Sequence, residues 1–459
     1  LTINRDLQEI CERALAHAVD SLEAEGGDIV VLNPMSGDVL ALASRRPGKA
    51  VQSITGVTEP FEPGSTLKPF IAGALLLRKR ARAEEVIDTH NGQLKLDRRT
   101  ITDVHKAASM SLADVIRYSS NIGIVEFGSR LTPREKFETL RDIGFGTATG
   151  IPLPGESDGV LYEPAKWSGT SSASVVMGYE VSVTPLQLAT AYAALANGGE
   201  LLQPHIIREI RSPEGNLLYQ SKRRVLRRVF PESVAAQVKS FLGAVVDSGT
   251  AKKAGLAAYE VAGKSGTARL FETGKGYAGK YTASFVGMFP AEKPQYVVLV
   301  KLNAPKHAYY GGEVAAPVSS VVLRTALAAR SAALDRSELA SFERDLPLTK
   351  DTVRAVASTQ SDSATAEASP FAAPPPAAEA VPQPNKTFAL PYARPASPPD
   401  KTLRAVPDVT GLPTRSAVRA LHRSGFRVTL TAQRLATQTI PAAGAMLPAG
   451  SIVKLQHTP

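Results

Sequence analysis

The chain opens on apolar residues that recur mainly at three- and four-residue steps, the spacing of one helix face. These residues are Leu7, Ile10, Ala14, Leu15, Ala18, Val19 and Leu22. We expect the helix to end at Gly26-Gly27, because glycine is a poor helix former. Two apolar runs follow, at residues 28–32 and 38–42, on either side of a turn-like segment at residues 33–37. They predict two strands joined as a hairpin.

Further strand patterns lie far along the chain, at residues 260–262, 283–287 and 296–300. A long, mostly helical stretch separates them from the first hairpin, and a helical pattern over residues 314–332 follows them. Strands at both ends of a region, with helices between them, indicate one antiparallel sheet assembled from distant segments, with helices packed on it. We therefore expect a mixed α/β (α+β) fold for this region.

Composition divides the 459 residues into three parts. Residues 1–345 carry the helix and strand patterns and predict a large domain. Residues 346–402 are rich in Pro, Ala and Ser, and they contain too few large apolar side chains to bury a core, which predicts a flexible linker. The pattern becomes periodic again over residues 403–459, which predicts a small second domain.

Charge and special residues exclude several kinds of protein. The formal net charge is +10, and the densest basic run comprises Lys222, Arg223, Arg224, Arg227 and Arg228. Because no stacking aromatic residues interleave with this run, it indicates a solvated loop rather than a nucleic-acid module. The single cysteine, Cys11, and seven histidines without ligand spacing predict neither a metal site nor a cofactor.

The longest apolar run, at residues 70–77, is far shorter than the ~18 residues that a membrane span needs. The sequence shows no signal peptide and begins at Leu1 rather than at methionine. We therefore expect the chain to be an excised soluble portion of a longer protein.

The first candidate for chemistry is Ser65, in the segment PGSTLK at residues 63–68. The apolar run that follows predicts a helix, so Lys68 lies one turn after Ser65 on the same face. A serine hydroxyl becomes an effective nucleophile when a base lies within hydrogen-bond reach. Lys68 can be that base if burial lowers its pKa, and the N–H groups at the start of the helix can stabilise an oxyanion.

The same Ser-x-x-Lys spacing recurs at Ser451 and Lys454, on a predicted strand whose side chains would point to opposite faces. We interpret this second copy as a chance match. The first copy is distinguished by two further motifs that follow it in the sequence, SSN at residues 119–121 and KSGT at residues 264–267.

The SSN motif can complete the proton path. Ser119 can relay a proton between Lys68 and a leaving amine, and the amide of Asn121 can orient Lys68 and hold a substrate carbonyl.

The KSGT motif can bind the substrate. Lys264 adds a positive field, and Gly266 leaves room for substrate backbone. Ser265 and Thr267 lie two apart on a predicted strand, so they face one side and can bind a terminal carboxylate. The Thr267 N–H can also join that of Ser65 in an oxyanion hole.

With these three motifs in this order, the chain resembles the class B penicillin-binding proteins, which are peptidoglycan D,D-transpeptidases. The likeness covers nearly all of residues 1–335 and includes the first hairpin, FEPGST at residues 61–66 and the segment 178–199. It implies the penicillin-binding transpeptidase fold, an antiparallel sheet with helices on both faces. It also implies stem peptides as substrates, acylation by β-lactams and cell-division membrane proteins as partners. The implied location is the extracytoplasmic face of the bacterial cytoplasmic membrane, although the family's membrane anchor is absent here.

Residues 403–459 resemble a PASTA domain, a small α/β module. The segment VPDVTGL at residues 406–412 leads into a helical pattern, residues 425–428 begin a strand, and two Pro/Gly turns follow at residues 441–444 and 448–451. Such a tail favours the division-type branch of the family and a septal role. It argues against a simple β-lactamase.

Two alternatives remain open. A D,D-carboxypeptidase or β-lactamase needs a base that activates water against the acyl-serine, and Glu156 is the candidate, although its segment PGESDG is typical of a turn. A non-enzymatic sensor that β-lactams acylate is the second alternative. The linker and the tail suit targeting to the cell wall better than signalling.

Overall fold

The computed structural model describes residues 1–48, 54–96, 99–272, 276–329, 331–342, 403–412, 414–430, 436–448 and 450–457. The predicted linker at residues 346–402 lies outside them. The chain divides into two compact units. One holds Thr2–Ile206 and the described residues 222–342, and the other holds Leu1, Ile207–Ser221 and the described residues from 403 onward.

The helices of the described residues are α1 (Arg5–Ser21), α2 (Thr55–Thr58), α3 (Lys68–Leu77), α4 (Leu112–Arg117), α5 (Asn121–Gly128), α6 (Pro133–Asp142), α7 (Ser171–Val176), α8 (Pro185–Ala196), α9 (Glu232–Asp247), α10 (Gly311–Ala328), α11 (Arg336–Leu339) and α12 (Thr414–Arg423). Short 3₁₀ turns occur at Gly64–Leu67, His90–Gly92, Pro164–Lys166, Lys252–Ala254 and Ala340–Phe342.

Five strands form the main sheet: β1 (Gly26–Leu32), β2 (Val39–Arg45), β13 (Ala262–Glu272), β14 (Gly276–Phe289) and β15 (Tyr296–Asn303). Short pairs form elsewhere in the first 228 residues: β3 (Val86–Asp88) with β6 (Ser109–Ser111), β4 (Gln93–Leu96) with β5 (Arg99–Thr102), β7 (Val160–Leu161) with β8 (Val181–Ser182), β9 (Glu200–Leu202) with β12 (Val225–Arg228), and β10 (Glu209–Arg211) with β11 (Leu217–Gln220).

The main sheet is antiparallel throughout, in the order β13-β14-β15-β1-β2. Its central strands β1 and β15 come from opposite ends of the domain and pair from Gly26 with Asn303 to Leu32 with Val297. Almost every residue of these two strands is buried, because helices cover both faces of the sheet. The strand β13 lies at an edge, which leaves one side of its backbone free of a neighbouring strand.

Two pairs of helices cover the sheet. The helices α1 and α10 contact each other and pack on β2, β14 and β15, whereas α8 and α9 contact each other and pack on β1, β13 and β15. Their apolar faces join one continuous core. The prediction of an antiparallel sheet with helices on both faces is confirmed.

Several local predictions were wrong. Helix α1 ends at Ser21, with Glu23 in a left-handed conformation, and Gly26-Gly27 begin β1 instead of ending the helix. A glycine is needed at residue 27, since a Cβ there would lie 2.7 Å from the carbonyl oxygen of Lys301. The middle of the domain, expected to be mostly helical, also contains the short strand pairs.

The basic run at residues 222–228 is not simply a loop. Its second half is β12, which pairs with β9. Arg223 and Arg228 both form ion pairs with Glu200, so part of the positive charge is compensated locally.

The C-terminal domain has its own core. Strands β16 (Leu403–Ala405) and β19 (Met446–Pro448) pair with each other, and β20 (Ile452–His457) lies between β17 (Arg427–Leu430) and β18 (Ala436–Ile440). The side chains that form this core are Val406, Val409, Ala417, Leu421, Phe426, Val453 and Leu455.

None of the helices in the described parts of the chain is long and apolar enough to cross a membrane.

Candidate active site

The predicted nucleophile lies on a tight 3₁₀ turn, Gly64–Leu67, that leads directly into α3. Ser65 is half-buried there. Tyr192 contacts the turn through its hydroxyl, which donates a hydrogen bond to the carbonyl oxygen of Thr66 at 2.7 Å. Gly64 has a φ of 53° and donates its N–H to the carbonyl oxygen of Gly178 at 3.1 Å. One side-chain hydroxyl and one backbone N–H therefore hold the turn in position.

Lys68, the first residue of α3, is fully buried. Its Nζ donates to the carbonyl oxygen of Ser119 at 2.6 Å and to Oδ1 of Asn121 at 2.7 Å. Burial lowers the pKa of Lys68 to about 7, and the negative charge of Asp103 only partly offsets this effect. A large share of Lys68 is therefore a neutral amine near neutral pH, which is the form that can accept a proton.

Ser119 lies between two amines. Its Oγ accepts a hydrogen bond from Nζ of Lys264 at 2.9 Å and lies 3.5 Å from Nζ of Lys68. Burial and the nearby charge of Lys68 hold the pKa of Lys264 well below its usual range. Ser119 has a φ of 61°, a conformation that a non-glycine residue adopts only where the surroundings impose it. The Ser119 hydroxyl is therefore within hydrogen-bond reach of both amines.

Asp103 holds the SSN motif in place, and sequence reasoning missed it. Its Oδ1 accepts the N–H groups of Asn121 at 2.5 Å and Ile122 at 3.2 Å, and its Oδ2 accepts the hydroxyl of Ser120. Ser120 in turn caps α5 by accepting the N–H of Gly123 at 2.7 Å. A buried carboxylate thus fixes the loop that presents Ser119 and Asn121.

The KSGT motif lies on the edge strand β13. Oγ of Ser265 is 2.9 Å from Oγ1 of Thr250, and Oγ1 of Thr267 accepts the N–H of Gly311 at 3.0 Å. A Cβ at Gly266 would lie 2.4 Å from Oγ of Ser284, so no larger residue fits without movement. Thr250 and Gly311, which support the two hydroxyls, carry no motif and were not predicted.

The structure thus brings Lys68, Ser119, Asn121 and Lys264 into one hydrogen-bonded group, with Ser65 one turn before Lys68. Residues 27–324 match the family model described as the penicillin binding protein transpeptidase domain, and residues 404–456 match that of the PASTA domain. The chain belongs to the penicillin-binding protein transpeptidase family.

Two curated members of this family illustrate the likeness. The probable peptidoglycan D,D-transpeptidase PbpC of Pseudomonas aeruginosa is 34% identical over 341 residues, which cover 72% of this chain and 58% of that protein. The peptidoglycan D,D-transpeptidase FtsI of Escherichia coli is 32% identical over 335 residues, which cover 70% of this chain and 55% of that protein. The chain therefore spans less than two thirds of the length of these relatives.

Solved structures agree with the family assignment. The transpeptidase domain of penicillin-binding protein 3 from Burkholderia pseudomallei matches with a TM-score of 0.65 at 32% identity, covering 76% of this chain and 98% of that one. Penicillin-binding protein 3 from Mycobacterium tuberculosis in complex with aztreonam matches with a TM-score of 0.66 at 30% identity, covering 71% and 78%. The class B assignment and the PASTA tail predicted from the sequence are confirmed.

Glu156 belongs to a turn of this penicillin-binding domain. Its carboxylate accepts the N–H groups of Thr149 at 2.8 Å and Gly150 at 3.1 Å, and also the hydroxyl of Thr149. These bonds engage both carboxylate oxygens in local structure, as the turn-like sequence indicated. The geometry provides no hydrogen bond from Glu156 to the group around Lys68.

Proposed function

We propose that this chain carries the catalytic activity of a peptidoglycan D,D-transpeptidase, which cross-links stem peptides through an acyl-Ser65 intermediate. The observation that carries the proposal is the buried amine of Lys68, one turn after Ser65 and hydrogen-bonded to the SSN loop. The names of the relatives, which are those of D,D-transpeptidases, support it.

In the acylation half-reaction, neutral Lys68 takes the proton of the Ser65 hydroxyl as Oγ attacks the carbonyl of the penultimate D-alanine. The N–H groups of Ser65 and Thr267 hold the oxyanion. The peptide C–N bond then breaks: Ser119 gives its hydroxyl proton to the departing amine of the terminal D-alanine and takes the proton that Lys68 holds, so Lys68 is neutral again. The carboxylate of that residue is bound by Ser265 and Thr267.

In the transfer half-reaction, an acceptor amine replaces the departed amine. It attacks the acyl-Ser65 carbonyl, loses a proton through Ser119 to Lys68, and forms the cross-link as Ser65 regains its hydrogen. Lys264 is buried and donates a hydrogen bond to Oγ of Ser119, so it orients the hydroxyl that relays the proton. The engagement of Glu156 in its turn favours transfer to an amine over hydrolysis.

The proposal extends to the domain organisation of the chain and to its cellular location. We propose a transpeptidase domain over residues 1–345, a linker over 346–402 and a PASTA domain over 403–459. The matched spans, 27–324 and 404–456, support these bounds. We also propose a role in septal wall synthesis at the extracytoplasmic face of the cytoplasmic membrane, with cell-division membrane proteins as partners. The likeness to FtsI and the PASTA tail support this role.

Mass spectrometry after exposure to labelled penicillin tests the proposal. We expect one stoichiometric adduct on the peptide that contains Ser65, and no adduct in Ser65→Ala. Ser451→Ala is the matched control and should be acylated like the wild type. An adduct on any other residue would contradict the assignment of the nucleophile, and rapid release of hydrolysed penicillin would favour a hydrolase.

A further inference from the structure

The basic run at residues 222–228 has no role in the reaction proposed above. Every residue of the run is exposed, and four of them form β12. Its only partner among the described strands is β9, in which Leu201 and Leu202 are buried. The pair therefore has a buried inner strand and an exposed outer strand, and the second backbone edge of β12 faces no strand of the described residues.

This basic edge, as we call residues 222–228, is firmly attached to its domain. Val229, which follows it, donates its N–H to the carbonyl oxygen of Gly199 at 2.7 Å, and the next residue, Phe230, is buried. A Cβ at Gly73 of α3 would lie 2.9 Å from the ring of Phe230, so the ring packs directly on that helix. The core of the domain thus fixes where the basic edge lies.

The basic edge carries more positive charge than its surroundings compensate. Arg223 and Arg228 share one carboxylate, that of Glu200. Arg227 lies 3.9 Å from Asp142, a carboxylate that pairs more closely with another arginine. The five cations of the edge therefore face two carboxylates, one of which is already engaged elsewhere.

Two cations of the basic edge have no acidic partner among the residues that the structure describes. Lys222 forms no ion pair with them, and the guanidinium of Arg224 donates to Oε1 of Gln203 at 2.8 Å rather than to a carboxylate. A guanidinium has five N–H donors, so that of Arg224 keeps donors for a carboxylate from outside the domain. The basic edge thus offers directed donors as well as net charge.

We propose that β12 is a docking strand, and that an extended acidic segment of a partner protein adds to its free edge. A strand that joins an open edge gains main-chain hydrogen bonds, and its side chains decide which strand is accepted. Carboxylates of the added strand would lie against the cations, and the exposed Val225 and Leu226 offer apolar contact between them. This inference does not depend on the chemistry at Ser65.

The arrangement of the cations decides between the possible occupants. A second copy of the chain, pairing through its own β12, would place like charges opposite each other, which is unfavourable. A lipid surface attracts positive charge without requiring a particular arrangement of it. Here Arg223 and Arg228 are held in place, since their guanidinium groups also donate to the carbonyl oxygens of two other residues. The acceptors are Met35 at 2.8 Å and Gly198 at 2.9 Å. Fixed donors beside an unpaired backbone edge fit a peptide strand.

Three labelled octapeptides, tested by fluorescence anisotropy with the whole chain, examine the partner's side of the contact. The first alternates glutamate and valine, the second has glutamine in place of glutamate, and the third is the first with every backbone nitrogen methylated. We expect the first to bind at least about tenfold more tightly than the second, which lacks the charge-assisted hydrogen bonds. It should also bind at least about tenfold more tightly than the third, which cannot donate main-chain hydrogen bonds to β12. Equal affinities for the first and the third overturn strand addition.

Two triple variants examine the chain's side of the contact. Lys222→Gln, Arg224→Gln and Arg227→Gln together should weaken binding of the glutamate peptide at least about tenfold. The matched control removes three charges at exposed sites outside the basic edge, through Arg13→Gln, Arg134→Gln and Lys306→Gln. At physiological salt, which screens distant charges, the control should stay within about twofold of the wild type. Equal losses in the two triple variants would show attraction by net charge alone and overturn the proposal.

Vesicles of phosphatidylglycerol and phosphatidylcholine test the lipid alternative by co-sedimentation. A wild-type chain that sediments with the vesicles and leaves the glutamate peptide unbound overturns the proposal in favour of a lipid surface. Acylation of Ser65 by penicillin at the wild-type rate shows that both triple variants are folded. If the first triple variant does not fold, the three peptides with the wild-type chain decide the proposal.

Discussion

Ser65–Lys68 and Ser451–Lys454 have the same residue types at the same spacing, in very different settings. The first pair lies on a 3₁₀ turn that continues into α3, so both side chains lie on one side of the turn. The second pair lies at the start of β20, where Lys454 is exposed between the buried Val453 and Leu455.

The hydrogen-bond partners of the two Ser–Lys pairs differ as well as their backbone conformations. Nζ of Lys68 is enclosed by polar groups of the SSN loop, and burial brings its pKa to about 7. Ser451 donates its hydroxyl to the carbonyl oxygen of Pro448 at 2.7 Å, which is the closing bond of a turn. A reactive serine therefore needs a desolvated amine and a second loop, and a spacing in the sequence supplies neither by itself.

The largest expected effect is the difference in acylation rate between a variant that lacks Lys68 and one that lacks Lys454. Lys68→Ala should slow the acylation of Ser65 by penicillin at least about a hundredfold, as for the loss of a general base. Lys454→Ala should leave the rate unchanged. Stopped-flow or gel-based acylation rates, with thermal unfolding to confirm the fold of both variants, make the comparison. Equal rates in the two variants would remove Lys68 from the mechanism.

A second test concerns Thr267 on β13, the strand that packs against the turn of the first pair. Thr267→Val should weaken acylation by carboxylate-bearing β-lactams by roughly ten- to a hundredfold, since one charge-assisted hydrogen bond is lost. An analogue without the carboxylate should lose much less. Thr267→Ser keeps the hydroxyl that accepts the Gly311 N–H and is the matched control. Equal losses for both compounds would assign Thr267 to the oxyanion or to the fold.

The pH dependence of acylation reports on the state of Lys68. Its pKa is lowered to about 7, so the neutral amine is the minor form below pH 7 and the major form above it. We expect the acylation rate to rise about tenfold per pH unit below pH 7 and to level off above ~pH 8. A rate that is flat between pH 5 and pH 8 would contradict a lysine base.

The smallest expected effect is that of removing the second pair altogether. A chain that ends at Phe342 lacks Ser451 and Lys454 but keeps every described element that contacts the catalytic group. We expect it to fold and to be acylated within about twofold of the full chain, because a linker without a core couples domains only loosely. Loss of acylation would show that the C-terminal residues support the site.

The parts of the fold that the sequence predicted are those with continuous apolar runs. Residues 28–32 and 296–300 lie within β1 and β15, where burial on both faces requires apolar side chains. The prediction was incomplete where a strand is polar. The apolar pattern covered only residues 260–262, and the polar KSGT motif was placed on a strand separately, whereas β13 is one strand that runs from Ala262 through this motif to Glu272.

The residues of the candidate site likewise divide into those that the sequence predicted and those that it missed. Its motif residues were found because each motif keeps chemically distinctive residues together in the sequence. Asp103, Thr250 and Gly311 act through contacts between segments that lie up to 44 residues apart, and their own neighbours form no pattern. Only the tertiary structure brings them to the site.

The contact between Gly64 and Gly178 limits how this protein can evolve under an inhibitor. A Cβ at residue 178 would lie 2.0 Å from the carbonyl oxygen of Gly64, so any side chain there would displace the turn that carries Ser65. A single substitution of Gly178 that reduces acylation by a drug by moving this turn would therefore also impair the reaction of Ser65 with the natural substrate. A substitution at an exposed side chain of β13, such as Arg269, leaves this contact between the two glycines in place.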